Sequence, residues 1–337
     1  HTPPTPILSG LVGSEMCIRD RAYRDIKKGW KEIRRIENQI RDDILDRIQV
    51  VCCTCIGAGN EILDGRRFPQ VLIDEATQAT EPASLVPLTR GARQVVLVGD
   101  HKQLPPTVIS FRAEEKGLKR SLFERLVDLG IEPLLLSTQY RMHPAISKFP
   151  NQHFYSDKLD DGINSENRPA PAGLIWPDWE NPVAFVPVEG GEVVSPDGTS
   201  RENPSEVSWV IKILNDILEA GEITKKDIGI ITPYAGQVRA IRNSMNEKLD
   251  DVEVKTVDGY QGREKEVIIF SCVRSNPEQN VGFLSEKRRL NVALTRAKRG
   301  LIVIGDPATL RGDDNWRAWL EYVRDRKFEA WHLLGMN

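Results

Sequence analysis

The sequence has few cysteines, and their number is odd. The five are Cys17, Cys52, Cys53, Cys55 and Cys272. A secreted disulfide framework needs a denser and paired set, so this composition favours a reducing compartment, and we expect a cytoplasmic protein. Three of the cysteines lie close together at positions 52, 53 and 55. They lack the second Cys or His pair of a four-ligand zinc site, so we interpret them as buried thiols of a short strand, Val50 to Thr54.

The sequence also lacks a long apolar run and a strong charge of one sign. No apolar run approaches the roughly 20 residues that span a bilayer, so we expect no membrane attachment. Lys and Arg number 46 against 49 Asp and Glu, which leaves a net charge of −3. Any contact with nucleic acid must therefore use a local basic track. The length of 337 residues fits about two globular domains.

Polar residues follow two short apolar segments. Asp74 and Glu75 come directly after Val71 to Ile73, and Gln103 follows Val95 to Val98 closely. Such segments predict buried parallel strands, whose carboxyl ends form the ligand-binding edge of an α/β sheet. The acid pair alone also fits a solvated loop, but the second polar strand end favours a nucleotide site. There Asp74 would hold Mg²⁺ through water, Glu75 would orient and deprotonate the attacking water, and Gln103 would reach the γ-phosphate.

The first 21 residues differ from those that follow. They mix proline, glycine and small polar residues without a sustained period, and the string at 16–21 resembles a translated sequencing-adapter end. We expect residues 1–21 to be a non-native or disordered leader. From Ala22 an apolar stripe predicts an amphipathic helix, and we interpret the stripe as core packing. The stripe consists of Tyr23, Ile26, Trp30, Ile33, Ile36, Ile40, Ile44 and Ile48.

Apolar segments and helical periods alternate over the rest of the chain, which predicts an α/β fold with a mostly parallel sheet. The predicted strands are Val183–Val188, Ile228–Thr232, Val254–Val257, Val267–Val273 and Leu301–Gly305. Four helices are predicted. The first covers Ser121–Val127, and the second begins after the cap Asn203 and ends at Gly221. The third runs from Pro233–Tyr234 through Met245, and the fourth covers Arg289–Lys298.

Eight sequence blocks, in this order, resemble the helicase core of superfamily 1. Within it they resemble the Upf-like group, and most closely the RNA helicases of nonsense-mediated mRNA decay. The blocks are CCTCIGAG (52–59), LIDEATQATEP (72–82), LVGDHKQLPP (97–106), SLFERL (121–126), QYRMHP (139–144), IGIITPYAGQ (228–237), TVDGYQGREKEVIIFSCVR (256–274) and RRLNVALTRAK (288–298). A single short motif is weak evidence, whereas eight ordered blocks are specific.

The resemblance implies two RecA-like P-loop NTPase domains with mostly parallel sheets, the first incomplete. Residues 22–138 would be the end of the first domain, 139–325 the second, and 326–337 a tail. It also implies ATP and Mg²⁺ as cofactors and 5′-to-3′ movement on single-stranded RNA, or on DNA. The protein would act in the cytoplasm as a monomer, together with mRNA surveillance factors.

Five positions match nucleotide-site residues of the group. Arg141 and Arg296 match its two arginine fingers, a role typically worth roughly 10³ to 10⁵ in rate. Arg296 would lie on the predicted helix, whose polar face points to the cleft. Tyr140 matches the residue that stacks on adenine, although it also fits a core tyrosine. Glu264, with the neighbouring Gly262, matches the ribose-binding segment, although its charged surroundings also fit a solvated acid.

Five further positions match blocks that contact nucleic acid or couple it to the nucleotide. They are Thr256, Asp258, Gln261, Pro233 and Tyr234. Backbone amides and hydroxyl groups in such loops would grip phosphates without reading base sequence.

The chain departs from the group at one motif. It contains no G-x-x-x-x-G-K-[ST] loop, whose lysine and hydroxyl hold the β- and γ-phosphates and Mg²⁺. We therefore expect a truncated gene model, and no ATP hydrolysis by this chain alone. Two alternatives remain open: a sister Upf-like helicase of transcription termination or of DNA, and a non-catalytic nucleic-acid-binding scaffold.

Overall fold

The computed structural model describes residues 7–246 and 249–334. By its internal contacts the chain divides into two compact units, residues 1–62 and residues 63–337, and each is described by itself. Among the described residues, no helix is both long enough and apolar enough to cross a membrane.

The first unit contains one long helix, α1 (Ile7–Arg47). It begins at Ile7, before the predicted start at Ala22. Residues 7–21 are therefore helical, whereas we expected residues 1–21 to be a non-native or disordered leader. Pro6 precedes the first turn, where proline is tolerated, and no proline follows within the helix. The origin of these residues stays a prediction, and residues 1–6 lie outside the described part.

The apolar stripe of α1 is exposed, so its interpretation as core packing is wrong. Trp30 keeps 60% of its surface accessible, and Ile40 and Ile44 each keep 54%. Helical periodicity identifies an apolar face, but it does not identify what covers that face.

The strand predicted at Val50 to Thr54 is absent, and these residues have no regular secondary structure. A strand needs a hydrogen-bonding neighbour, and none of the described residues of this unit forms one. The interpretation of the nearby cysteines as buried strand thiols is therefore also wrong. Cys52 and Cys53 are exposed and Cys55 is half-buried, whereas Cys272, in the second unit, is buried.

The second unit alternates helices and strands, which confirms the predicted α/β class. Its α-helices are α2 (Glu81–Leu88), α3 (Phe111–Glu115), α4 (Leu122–Asp128), α5 (Pro144–Phe154), α6 (Pro204–Glu219), α7 (Ala235–Ser244), α8 (Lys287–Leu294), α9 (Pro307–Leu310) and α10 (Asp314–Asp325). Its strands are β1 (Gln70–Ile73), β2 (Gln94–Leu97), β3 (Thr138–Gln139), β4 (Asp160–Asp161), β5 (Val183–Pro187), β6 (Val193–Val194), β7 (Arg201–Glu202), β8 (Ile228–Thr232), β9 (Glu253–Thr256), β10 (Lys265–Ser271) and β11 (Ala297–Gly305).

Five strands form a parallel sheet in the order β5–β11–β10–β8–β9. Side chains of β10 alternate between two buried clusters, with Ile268 and Phe270 in one and Val267 and Ile269 in the other. Because both faces are covered, the strands have nearly continuous apolar sequences, as the sequence predicts for a buried parallel sheet.

β1 and β2 form a separate parallel pair. Ile73 is buried, but Leu72 is 65% exposed and Val96 is 52% exposed. The two predicted strands are present and pair with each other in parallel. The prediction that both strands are buried is wrong. A two-stranded sheet leaves most of each strand's surface uncovered unless other layers pack on it, and among the described residues little does.

The last predicted helix ends earlier than expected. α8 stops at Leu294, and Thr295 leaves the helical region with φ −101° and ψ 13°. β11 then begins at Ala297, where it pairs with Lys265 of β10. Arg296 therefore lies in the tight connection between helix and strand, not on a helical face, because pairing with β10 prevails over the local helical pattern.

Several local signals are confirmed. The side chain of Asn203 accepts hydrogen bonds from the backbone N–H groups of Ser205 and Glu206 and so caps α6. Ser121 caps α4 in the same way. The predicted domain boundary after residue 138 stays a prediction. Phe328, in the segment predicted as a tail, is buried.

Candidate nucleotide site

The first side of the site is the turn after β1. Asp74 accepts a hydrogen bond from the Glu75 backbone N–H at 3.0 Å, and Gln78 donates to the Glu75 carboxylate at 2.7 Å. Glu75 has φ 51° and ψ 38°, the left-handed region that a non-glycine residue seldom adopts. Such strain is found at sites where the surrounding structure fixes an unusual side-chain direction.

The second side is the loop after β2. One carboxylate oxygen of Asp100 accepts from the Lys102 backbone N–H at 2.9 Å, and the other accepts from the Gln103 amide at 2.8 Å. The hydroxyl of Tyr155, just after α5, donates to Asp100 at 2.5 Å. Asn291 of α8 donates to the Tyr155 hydroxyl at 2.8 Å and to the Lys102 carbonyl at 3.0 Å. The loop is thereby hydrogen-bonded to segments far along the chain.

Arg296 meets this loop from the connection between α8 and β11. It is 3% exposed, and its Nη2 donates to Gln103 Oε1 at 3.1 Å. Its Nε donates to the Val292 carbonyl at 3.0 Å, which fixes the guanidinium. Burial, followed by the nearby Arg141 cation, lowers the pKa of Arg296 to about 10, while the charge of Glu75 opposes this shift. Two predicted catalytic residues, Gln103 and Arg296, are thus in direct contact.

Arg141 lies beside Arg296 and pairs with Glu264. Its Nε donates to the Glu264 carboxylate at 2.6 Å, and its Nη1 donates to the Thr295 carbonyl at 3.1 Å. Lys298 also pairs with Glu264, at 3.2 Å. Burial acts to raise the pKa of Glu264, but the hydrogen bond and charge of Arg141 hold this pKa below its usual value. Glu264 is therefore not the isolated solvated acid that charge pattern alone suggests.

Tyr140 is 67% exposed, which excludes its interpretation as a core tyrosine. Its carbonyl accepts a hydrogen bond from Arg168 at 3.5 Å, so the backbone there is tethered while the ring stays open to solvent. Gly262 lies two residues before Glu264 and has a φ of 69°, a conformation that favours glycine.

The predicted coupling residues form a second group. Thr256 Oγ1 accepts from the Gly259 backbone N–H at 3.3 Å, and Asp258 pairs with Arg289 at 3.2 Å. The Tyr234 hydroxyl accepts from the Phe283 backbone N–H at 3.2 Å. Pro233 precedes Tyr234, and the Gln261 amide nitrogen is buried without a hydrogen-bond partner. Within the described ranges, no hydrogen bond or ion pair joins this group to Arg296 or Gln103.

Sequence reasoning missed part of the site. Asp100 belongs to the polar strand end that the sequence singles out. The sequence did not predict that it accepts hydrogen bonds from Lys102, Gln103 and Tyr155. Tyr155, just after α5, belongs to no motif that the sequence singled out, so only the fold brings it to Asp100. Outside the site, no feature of the sequence indicated that Glu206, in the first turn of α6, is fully buried and accepts from Ser271 at 2.6 Å and from the Val273 backbone N–H at 2.8 Å.

The residues present fit a nucleoside triphosphate with a divalent cation. Two guanidinium groups lie close enough that one lowers the pKa of the other, and a phosphate between them would relieve this repulsion. Asp74 and Glu75 supply hard carboxylate oxygens of the kind that Mg²⁺ prefers. No group of three His, Cys, Asp or Glu able to hold a metal occurs in the described part of the chain, so water and phosphate would complete the coordination.

A family profile described as "AAA domain" matches residues 118–308, and a second profile with the same description matches residues 17–111. Among solved structures, "The structure of PRRSV helicase" aligns with a TM-score of 0.37 and 19% identity, over 73% of this chain and 37% of that one. This likeness is too low to carry an argument.

Curated relatives match nearly the whole chain. "Regulator of nonsense transcripts 1 homolog" of Drosophila melanogaster is 45% identical over 95% of this chain and 27% of its own length. The protein of the same name in Neurospora crassa is 46% identical over 95% of this chain and 30% of its own length. "ATP-dependent helicase NAM7" of Saccharomyces cerevisiae is 44% identical over 95% and 33%, respectively. The chain thus spans about a third or less of these relatives.

Proposed function

Because this chain belongs to the AAA domain family, we propose that it is part of an ATP-dependent helicase of nonsense-mediated mRNA decay. The names of its relatives support both the activity and the pathway. The structural observation that carries the proposal is the 3.1 Å contact between Arg296 and Gln103. It brings a buried guanidinium from the carboxyl-terminal part of the chain to the strand-end loop that follows the Asp74–Glu75 turn.

When bound, ATP supplies the phosphoanhydride bond and Mg²⁺ supplies positive charge. Asp74 would hold the cation, and Glu75 would orient a water molecule and accept its proton. Arg141 and Arg296 stabilise negative charge that develops on the phosphate oxygens. Gln103 contacts Arg296 directly, so a change at the phosphate end of the site moves the loop after β2.

Tyr140 and Glu264 hold the nucleoside. The exposed ring of Tyr140 offers a stacking face for adenine, and Glu264 accepts from the ribose hydroxyl groups. Gly262 lets the neighbouring backbone take the left-handed turn that presents Glu264.

The second group of residues grips the nucleic acid. Thr256, Asp258 and Gln261 contact the sugar-phosphate backbone of single-stranded RNA, and the same contacts are open to DNA. Pro233 and Tyr234 are buried and position the neighbouring loops rather than touch the strand. Closure on ATP and opening after hydrolysis alternate the strength of this grip and move the strand 5′ to 3′. The protein works in the cytoplasm as a monomer, together with mRNA surveillance factors.

The test is a chimaera in which this chain replaces the matching third of the Saccharomyces cerevisiae relative. We expect RNA-stimulated ATP hydrolysis from the chimaera and a loss of roughly 10³ to 10⁵ in rate with Arg296→Ala. Binding of a fluorescent ATP analogue should weaken much less, because the arginine acts mainly on developing charge. Arg120→Ala is the matched control, since Arg120 is an exposed arginine paired with Asp128.

An Arg296→Ala chimaera with an unchanged turnover rate would contradict the proposed role of Arg296. A chimaera that binds RNA and ATP but never hydrolyses ATP would favour the scaffold alternative. The chain alone provides a further comparison, and we predict no turnover from it because it carries no phosphate-binding loop motif.

A further inference from the structure

Phe283 is an exposed aromatic residue with a fixed backbone. It belongs to the short turn Gly282–Ser285 before α8, and 58% of its surface is accessible. Exposing a phenylalanine ring sacrifices the favourable burial of apolar surface, so a ring held in this way needs a reason. The turn is not loose, because the Phe283 backbone N–H donates to the Tyr234 hydroxyl at 3.2 Å.

Two neighbours hold the Phe283 ring in place. The ring of Tyr234 lies 5.4 Å from it, centroid to centroid, at an angle of 39°. The guanidinium carbon of Arg289 lies 5.5 Å from the Phe283 centroid, within range of a cation–π interaction. Asp258 fixes Arg289 through a 3.2 Å ion pair. We call the exposed ring of Phe283, supported by the buried ring of Tyr234 and by Arg289, the aromatic platform.

The platform is braced from the core of the unit. Gly282 has a φ of 55°, and a Cβ there would lie 2.1 Å from Arg274 Nη1 and 2.5 Å from the Tyr234 hydroxyl. Arg274 is 5% exposed and pairs with Glu192 at 2.5 Å. Only glycine allows Arg274 and Tyr234 to approach the turn that closely, so the backbone just before Phe283 is fixed in place.

The residue before Arg274 is also strained. Val273 has a φ of 76°, an outlier for a β-branched residue. Glu206 accepts from its N–H, and Asn203 donates to its carbonyl at 3.1 Å, so buried polar groups maintain this conformation. The next residue, Arg274, donates from its Nη1 to the Tyr234 hydroxyl at 3.4 Å.

We propose that the aromatic platform stacks one base of the single-stranded nucleic acid. This inference rests on the proposed function and adds a base contact to a grip that is otherwise made to the backbone. Every base has a π face, so an open ring flanked by a guanidinium binds bases with little regard to sequence. Through Asp258, which contacts Arg289, the platform adjoins the loop that is predicted to hold the strand.

The experiment compares a fluorescently labelled oligouridine RNA with an abasic strand of the same length, by anisotropy, on the full chain. Phe283→Ala should weaken binding of the oligouridine by about 5- to 100-fold and leave binding of the abasic strand unchanged. Phe283→Trp should retain the preference for bases. The matched control is Trp179→Ala, which removes another exposed aromatic residue, 54% accessible.

A Phe283→Ala variant that binds both strands as the parent chain does would overturn the platform and leave the proposed function intact. Equal weakening on both strands would also overturn it, because a base contact cannot matter to a strand without bases. If the parent chain binds neither strand at low salt, the nucleic-acid part of the proposed function fails, and the platform fails with it. Unchanged thermal unfolding of Phe283→Ala checks that the exposed substitution leaves the fold intact.

Discussion

The five-stranded sheet and the β1–β2 pair contain similar apolar sequences but differ in burial. Ile269 and Val303 in the larger sheet are fully buried, whereas Leu72 and Val96 in the smaller one keep 65% and 52% of their surface accessible. Both sheets are parallel. Similar apolar sequences therefore lie in very different surroundings, and the layers packed around a strand decide how much stability it contributes.

The largest expected difference between the two sheets is in the free energy of unfolding that is lost when a strand side chain is replaced by alanine. Phe270→Ala should lower the free energy of unfolding by about 3 to 5 kcal/mol, because Phe270 is 1% exposed and stacks on Trp316 at 6.0 Å. Val96→Ala should cost under about 0.5 kcal/mol. Urea unfolding of both variants makes the measurement, with Phe270→Leu as a milder substitution at the buried site. Equal costs would contradict the comparison.

The second difference is in the response to pH. Burial raises the pKa of Glu206, beside the larger sheet, to about 8 from 4.5. The folded state therefore holds a proton that the unfolded state releases, and stability falls as pH rises from about 4.5 to about 8. The slope is at most about 1.4 kcal/mol per pH unit. Glu206→Gln should flatten this part of the curve of unfolding free energy against pH.

Glu81, at the start of α2 near the smaller sheet, provides the opposite case. The hydrogen bond from Arg125 lowers the pKa of Glu81, so its contribution is present above the unfolded pKa and is lost as pH falls. Glu81→Gln should therefore lower the unfolding free energy by a constant amount above about pH 5, leave the slope there unchanged, and reduce the loss of stability on the acid side. A Glu206→Gln variant with the parent's slope between pH 5 and 8 would show that Glu206 does not bind this proton.

The smallest expected difference is between two ion pairs. Arg288 of α8 pairs with Glu124 of α4 at 2.5 Å, with side chains 23% and 24% exposed. Arg120 pairs with Asp128 at the same distance, with side chains 46% and 55% exposed. Double-mutant cycles on thermal unfolding should give about 1 kcal/mol for the first pair and about 0.2 kcal/mol for the second. High salt should reduce the second coupling first, and a reversed order would contradict the assignment by burial.

Local signals in the sequence predicted much of the fold. β8, β10 and β11 are long apolar runs with covered faces, and the Asn203 cap depends only on residues within one turn. Gln103 and Arg296 could be singled out because each belongs to a sequence block of the family. The structure places the two side chains in contact. These features need no knowledge of which distant segments meet.

Other features depend on distant contacts and were not predictable. The end of α8 is set by pairing of Ala297 with Lys265, which no local pattern records. The exposure of Trp30 depends on what lies against α1, and a hydrophobic stripe does not specify this. Tyr155 becomes part of the site only because α5 ends beside Asp100.

The hydroxyl of Tyr155 has a consequence for motion. It donates to Asp100 and accepts from Asn291, which also holds the Lys102 carbonyl. Moving the loop after β2 away from α8 would strip a carboxylate, a phenol and an amide of their partners in one step. Leaving the buried Asn291 and the partly buried Asp100 and Tyr155 without partners is costly, so intermediate positions are disfavoured. The loop should therefore be either docked or released. The Tyr155 hydroxyl should be hydrogen-bonded to Asp100 only in the docked state.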